Sequence, residues 1–139
     1  MKVNMCNELY VRTYNDTGAG ARIFSLLAEL GINVIAYNGW EASKEAFFLI
    51  VVDGQEETAL NALSGAGFMV EQRTVIAVDL TNRPGSLVAL LRTLSDANID
   101  IIYSYASGAG AGSDRTKVVL QTSDNEMARH LIQTIPGRA

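Results

Sequence analysis

Apolar positions along this chain change period several times, and each change predicts an element. Val75–Leu80 is a short β-rich run ending in Thr81-Asn82-Arg83-Pro84-Gly85. Beyond it, Leu87, Leu90, Leu91 and Leu94 recur at i, i+3, i+4 and i+7, which predicts a helix with that stripe turned inward. Pro84 is expected at the first helical position, where its fixed φ suits the helix and its missing N–H costs nothing. Asn98 closes the helix, and Ile99–Tyr105 returns to β-branched and aromatic residues. The stretch reads strand, loop, helix, strand.

An offset of 67 positions lays Ile32-Asn33-Val34 on Ile99-Asp100-Ile101 without a gap. The same offset puts Leu9 on Ile76, Asn15 on Asn82, Gly18 on Gly85, Ile23 on Leu90 and Leu27 on Leu94, so the chain reads as a tandem duplication. In the first copy, Glu8–Tyr14 is a strand, Asn15–Gly20 a loop, and Ala21–Leu30 a helix burying Ile23, Leu26, Leu27 and Leu30 before Gly31 stops it. Ile32–Trp40 and Glu45–Val52 form a hairpin around Glu41–Lys44. Gln55–Ala66 is a second helix with Glu56 and Glu57 in its first turn, which suits the dipole, and Phe68–Gln72 is the fourth strand. The second copy repeats this through Lys117–Thr122 and a helix at Asn125–Ile135, then stops at Pro136. Its last strand is therefore missing or very short. Val75–Leu80 is left with a bare edge, for which Lys2–Asn7 or a partner chain is the candidate cover. The fold class is α+β: two βαββαβ repeats side by side, residues 1–73 and 74–139.

The loop before the striped helix is the candidate site. The amides of Gly85, Ser86 and Leu87 begin the helix without intrahelical acceptors and carry the positive end of its dipole. Gly85 puts no side chain in the way. A carboxylate or other anion fits such a position; a helix start that binds only water is the plain alternative.

The sequence N-R-P-G-S-L at the end of a strand, the leucine-striped helix and then A-N-I-D-I resemble the opening half of an ACT domain, over residue 75 to about 135, with a weaker copy before it. The resemblance implies ferredoxin-like repeats that bind a free amino acid between two domains, where a loop of one meets the second strand of the other. It places Asn82 and Asn15 as loop asparagines, and Asn33 and Asp100 at the starts of the second strands. Asp100 departs from the asparagine that serine-binding members carry there.

A physical difference separates the two loops. Asp16 is a favoured N-cap that would satisfy the first helix's amides itself. Arg83, at the matching position, accepts no hydrogen bond and adds attraction for a carboxylate. The candidate ligand-binding residues are therefore Asn82, Arg83, Pro84, Gly85, Ser86, Leu87, Asp100 and Ile101, with Asn15, Gly18, Asn33 and Tyr37 in the first copy. The second-copy loop is expected to be the stronger carboxylate site, with Asp100 or Asn33 taking the ammonium group. Ile101, Ile102, Tyr103 and Tyr37 either line an apolar pocket or belong to core and sheet packing.

Composition narrows the function classes. At 139 residues with 48% hydrophobic and 19% charged positions, the chain reads as globular and soluble. No apolar run approaches the ~18 residues of a membrane span, and the first residues lack the apolar centre of a signal peptide, so a cytoplasmic location is expected. A net charge of −4 and a pI near 4.9 argue against nucleic acid as the partner. Cys6 is alone, and His130 has no second His or Cys to share a metal, so no metal or other cofactor is expected. Gly108–Ser113 follows one strand and precedes another with no Lys-Ser/Thr, so it reads as a flexible hairpin loop able to close over a ligand, and not as a phosphate loop. Arg12 and Asp79, at equivalent positions, read as surface or interface charges.

Ala46–Val52 is apolar on both faces, and helices cover only one, so a sheet-to-sheet homodimer is expected. The expected function is non-catalytic: sensing a free amino acid at the interface of the repeats and passing that state to the oligomer or to a separate enzyme or regulator. The alternatives are an oligomerisation or partner-binding module without ligand, and an acylphosphatase-like enzyme, whose loop arginine Arg83 resembles although N-R-P-G is not the pattern of that family.

Overall fold

The two strands that the sequence separates, Phe68–Gln72 and Val75–Leu80, are a single strand running unbroken over Met69–Thr81. The computed structural model describes residues 1–108 and 112–137. In chain order the elements are β1 (Lys2–Tyr14), α1 (Ala19–Glu29), β2 (Val34–Ala42), β3 (Glu45–Val52), α2 (Glu56–Gly65), β4 (Met69–Thr81), α3 (Ser86–Asp96), β5 (Ile101–Gly108), β6 (Arg115–Thr122) and α4 (Asn125–Gln133). The pairs β1–β3, β2–β3, β4–β6 and β5–β6 are antiparallel.

Residues 7–73 form one compact unit, and residues 1–6 with 74–139 form the other. In the first unit the strand order is β2-β3-β1-β4. Leu9, Val11, Ile50 and Val52 on the strands pack with Ile23 and Leu27 of α1 and Leu63 of α2. In the second unit the order is β1-β4-β6-β5, and Ile76, Val78 and Leu120 pack with Leu90 and Leu94 of α3 and Ile132 of α4.

The first six residues, expected with the first repeat, group with the second. Val3 is a member of the second unit's core, and Met1 and Met5 pack against it. Alternate apolar residues at positions 1, 3 and 5 put one face of this segment against that core. Among the described residues no strand follows α4, and the start of β1, the neighbour of β4 in the strand order, stands beside β4 in the second unit. Of the two covers considered for the bare edge of Val75–Leu80, it is the chain's own first strand that lies there.

Two helical stripes are narrower than their sequence pattern. In α3, Leu90 and Leu94 are fully buried, but Leu87 is 49% and Leu91 36% exposed. At 3.6 residues per turn, Leu91 lies about 80° around the helix from the Leu90–Leu94 midline, beyond the strip that one sheet contacts. In α1, Ile23 and Leu27 are buried, whereas Leu30 is the exposed C-cap residue. The second face of β3 also differs from expectation. Leu49 and Val51, on the side away from α1 and α2, are 2% and 3% exposed in the single chain. Phe47, on the same side, is half-buried, so this face is covered in part within the single chain. Among the described residues, no helix is long and apolar enough to cross a membrane.

Candidate functional site

Both loops before the first helix of a repeat share one conformation, set by glycine. Gly18 and Gly85 are the N-cap residues of α1 and α3, with φ of 96° and 93°. In each loop an amide closes a turn on the carbonyl three residues back: Ala19 donates to Asp16 at 3.3 Å, and Ser86 to Arg83 at 3.3 Å. Proline second and glycine third, with φ near +90° and ψ near zero, is the signature of a type II turn. The helix therefore begins at Ser86, two residues later than expected, and Pro84 lies in the turn ahead of it. Proline fits both positions by its φ, and the positive φ of Gly85 decides for the turn.

This shifts the available donors. The Ser86 amide is used in the turn, and Ala89 makes the first helical bond, to the Gly85 carbonyl at 3.0 Å. The amides of Leu87 and Val88 have no acceptor among the described residues, and no side chain caps the helix. Leu87 was an expected donor; Val88 was not.

Asp16, expected to cap α1, does not. Its carboxylate accepts from Arg22 at 3.0 and 3.3 Å, and α1 has no side-chain cap either. A guanidinium one turn into the helix competes successfully for the carboxylate. Arg83 makes no ion pair among the described residues. One loop is thus internally neutralised, and the other carries an uncompensated positive charge.

The loop asparagines are structural ties. The Asn82 amide donates to the Asp114 carbonyl at 2.9 Å, and its side-chain Nδ2 to the Ser113 carbonyl at 2.9 Å. In the first unit the Asn15 amide donates to the Lys44 carbonyl at 2.8 Å, and its Nδ2 to Glu41. Each asparagine fastens its loop to the adjoining strand hairpin. Residues 109–111 of the hairpin loop, assigned a possible closing role, lie outside the described residues.

A cavity of 270 Å³ opens beside the second loop. Asn82, Arg83, Ser86 and Leu87 form its loop and helix side; Leu80 and Thr81 of β4 continue it. The far wall is Ser104, Tyr105 and Ala106 of β5 with Thr116 and Val118 of β6. Ser104 and Ala106 stand opposite Leu120 and Val118 in the β5–β6 register, so they share the face that α3 covers. Arg83 is the one ionisable wall residue apart from the Tyr105 phenol, and it makes the cavity suitable for an anion.

The model of the ACT domain pair family matches residues 4–135. The chain belongs to the ACT domain pair family. Its fold is similar to protein BT0572 from Bacteroides thetaiotaomicron, with TM-score 0.85 and 22% identity over 94% of this chain and 88% of that one. It is also similar to the ligand-free regulatory subunit of aspartate kinase from Thermus thermophilus, with TM-score 0.66 and 17% identity over 96% of each chain. The corresponding subunit from Thermus flavus gives TM-score 0.61 and 18% identity, over 95% of this chain and 94% of that one. No curated protein matches.

Within this ACT pair, the remaining candidates fall away from the cavity. Asp100 and Ile101 are not among its walls; Asp100 is tied to Ser123, exchanging backbone and side-chain bonds at 2.9 Å. The Asn33 carbonyl accepts from the Asp53 amide in the same way, at 2.9 Å. These residues start the second strands, and inside each unit their contacts lie with the loop after the third strand. Tyr37 meets the Phe24 ring of α1 at a tilt of 58° and a centroid distance of 4.9 Å. Arg12 and Asp79 form ion pairs within their own units, with Glu45 at 3.2 Å and Lys117 at 2.8 Å.

The wall residues Ser104, Ala106, Thr116 and Val118 were not among the sequence candidates. Small residues on a strand carry no chemical signature, and only comparison with the first copy singles them out. A larger cavity of 460 Å³ lies in the first unit beside Tyr10, Arg12, Met69 and Arg73. Its cations are already engaged: Arg12 with Glu45, and Arg73 with Glu71 and over the Tyr10 ring at 3.9 Å. Charge, and not size, favours the smaller cavity as an anion site.

Proposed function

We propose that this ACT domain pair is a non-catalytic regulatory module that binds a free amino acid by its carboxylate at the start of α3. The observation that carries this reading is the uncapped helix start: the Leu87 and Val88 amides and the Arg83 guanidinium stand without protein partners among the described residues, beside a cavity of 270 Å³. Helix-end amides and a guanidinium both favour a carboxylate. The cavity lies just below the usual range for ligand sites, about 300–1,000 Å³, which suits a small metabolite. Its walls offer binding groups and no side chain that readily exchanges a proton near neutral pH, which supports binding over turnover.

The partner under this reading is a separate polypeptide in the cytoplasm, an enzyme or regulator. Similarity to regulatory subunits from two Thermus species supports it. A homodimer would use the second face of β3 or the sheet edges, since β2 and β5 end the strand order. A thermal-shift screen over the common amino acids tests the reading. A ligand at a hundred times its Kd stabilises the native state by about 2.7 kcal/mol, raising Tm by several degrees. Arg83→Ala should weaken that ligand about 10–100-fold, since hydrogen bonds to charged groups contribute roughly 1.5–3 kcal/mol. No shift with any amino acid would favour a partner-binding module, to which the exposed Leu87, Val88 and Leu91 of α3 also point.

A further inference from the structure

The two units place the same elements around the same point and fill it differently. In the first unit, Phe24 of α1, Tyr37 of β2 and Phe48 of β3 meet there: Phe24 lies 4.9 Å from Tyr37 and 6.1 Å from Phe48, ring centre to ring centre. Two glycines make room for Phe48. A Cβ at Gly20 would stand 3.4 Å from its ring, and one at Gly39 only 3.1 Å.

The 67-residue offset carries Gly20, Phe24, Tyr37 and Gly39 onto Leu87, Leu91, Ser104 and Ala106. Strand register identifies the counterpart of Phe48. Phe48 faces Val11 and Gly39, and Val118 faces Val78 and Ala106. Three aromatic rings in one repeat thus become Leu91, Ser104 and Val118 in the other, and the cavity of 270 Å³ lies where Ser104, Val118 and Leu87 now form walls. Tyr37 and Phe48 sit at diagonal positions of adjacent strands, so the loss of both rings leaves a surface hollow that the leucines of α3 do not fill.

We propose that only the second repeat takes ligand, one amino acid per chain with an uncharged aliphatic side chain lying in this cavity, and that the first repeat is a ring-filled copy that binds none. The proposal rests on the amino-acid reading above and deepens it. Beyond Arg83 at the loop, the walls are Leu80, Leu87, Ala106 and Val118 with the neutral polar groups of Thr81, Asn82, Ser86, Ser104, Tyr105 and Thr116. A charged side chain entering there would lose hydration without a counter-charge. An aliphatic one loses nothing and removes apolar wall from water. The first loop adds a second obstacle, because Arg22 already occupies the Asp16 carboxylate and leaves no uncompensated positive charge.

Calorimetric titration of the full chain with leucine, lysine and aspartate tests this. The exposed position of Ser104 on β5 lets Ser104→Tyr copy the first repeat without disturbing the core, and Tyr37→Ser is the mirror change. Leucine should bind at one equivalent per chain. Ser104→Tyr should weaken it about tenfold or more, Tyr37→Ser should leave it unchanged, and both variants should keep the parent's cooperative melt. Two equivalents per chain, equal loss in the two variants, or lysine or aspartate binding as tightly as leucine would overturn the proposal and leave the amino-acid reading standing. An absence of heat with every common amino acid would remove that reading, and this proposal with it.

Discussion

Gly39 and Phe48 face each other across β2 and β3, and a Cβ on Gly39 would lie 3.1 Å from the Phe48 ring. Their counterparts, Ala106 and Val118, face each other across β5 and β6. The methyl group removed from one position and the ring added at the other are complementary in volume.

This relationship predicts a coupling energy. Gly39→Ala should destabilise the first unit by about 1–3 kcal/mol, the usual cost of overpacking. In a Phe48→Val background the same change should cost much less, because the ring it collides with is gone. Urea denaturation of the four proteins in the double-mutant cycle measures the difference; additive losses would mean that Phe48 moves aside freely.

A second expectation concerns the first strand. Val3 is 7% exposed and belongs to the core of the second unit. Val3→Ala should cost about 2 kcal/mol. Removing residues 1–6 should expose one edge of β4, and amide exchange at Val75–Leu80 should accelerate from the slow rates of a central strand to those of an edge. Unchanged protection after removal would show that this segment is dispensable to the strand beside it.

The ion pairs differ by burial, which orders their contributions. Arg22 and Asp16 have side chains 52% and 57% exposed, whereas Lys117 and Asp79 are 29% and 23% exposed. Arg22→Ala should change stability by less than about 0.5 kcal/mol and lose even that at high salt. Lys117→Ala should cost about 1 kcal/mol and depend less on salt. Denaturation midpoints at low and high ionic strength separate the two.

Glycine substitutions should diverge in sign. At Gly85 a Cβ meets nothing within 4 Å, yet its φ is +93°. Gly85→Ala should therefore destabilise by about 1 kcal/mol through backbone conformation alone. Gly65 closes α2, also with open space around it and no positive φ. Gly65→Ala should stabilise by roughly 0.5–1 kcal/mol. Thermal melts of both variants check the contrast, and a neutral result at Gly85 would mean that the turn relaxes.

Periodicity and self-similarity were enough for the helices, the hairpins and the duplication, though they divided β4 in two; the resemblance carried by N-R-P-G-S-L and A-N-I-D-I supplied the family. The offset that lays Leu9 on Ile76 and Ile23 on Leu90 is a record of core positions, and core positions repeat because both copies bury the same faces. Local rules also located the two loops, since glycine at positive φ is a constraint that sequence displays directly. They misplaced the start of α3 by two residues, because Pro84 satisfies a turn and a helix start equally by its own φ, and Gly85 settles the choice.

Where side chains end up across space is a different matter. Asp16 has the chemistry of an N-cap but pairs with Arg22, a choice between two partners of similar reach. The first six residues carry apolar alternation that fits either repeat's core, and only assembly assigned Val3 to the second. The cavity beside Arg83 is the plainest case. Its walls are small residues from β5 and β6 whose meaning lies in the rings that Tyr37 and Phe48 provide elsewhere. Sequence dictates which face each residue takes, because backbone geometry fixes that period locally. Whether a space between faces is filled or left open depends on the summed volumes of side chains distant along the chain, and that sum exists only once the chain has folded.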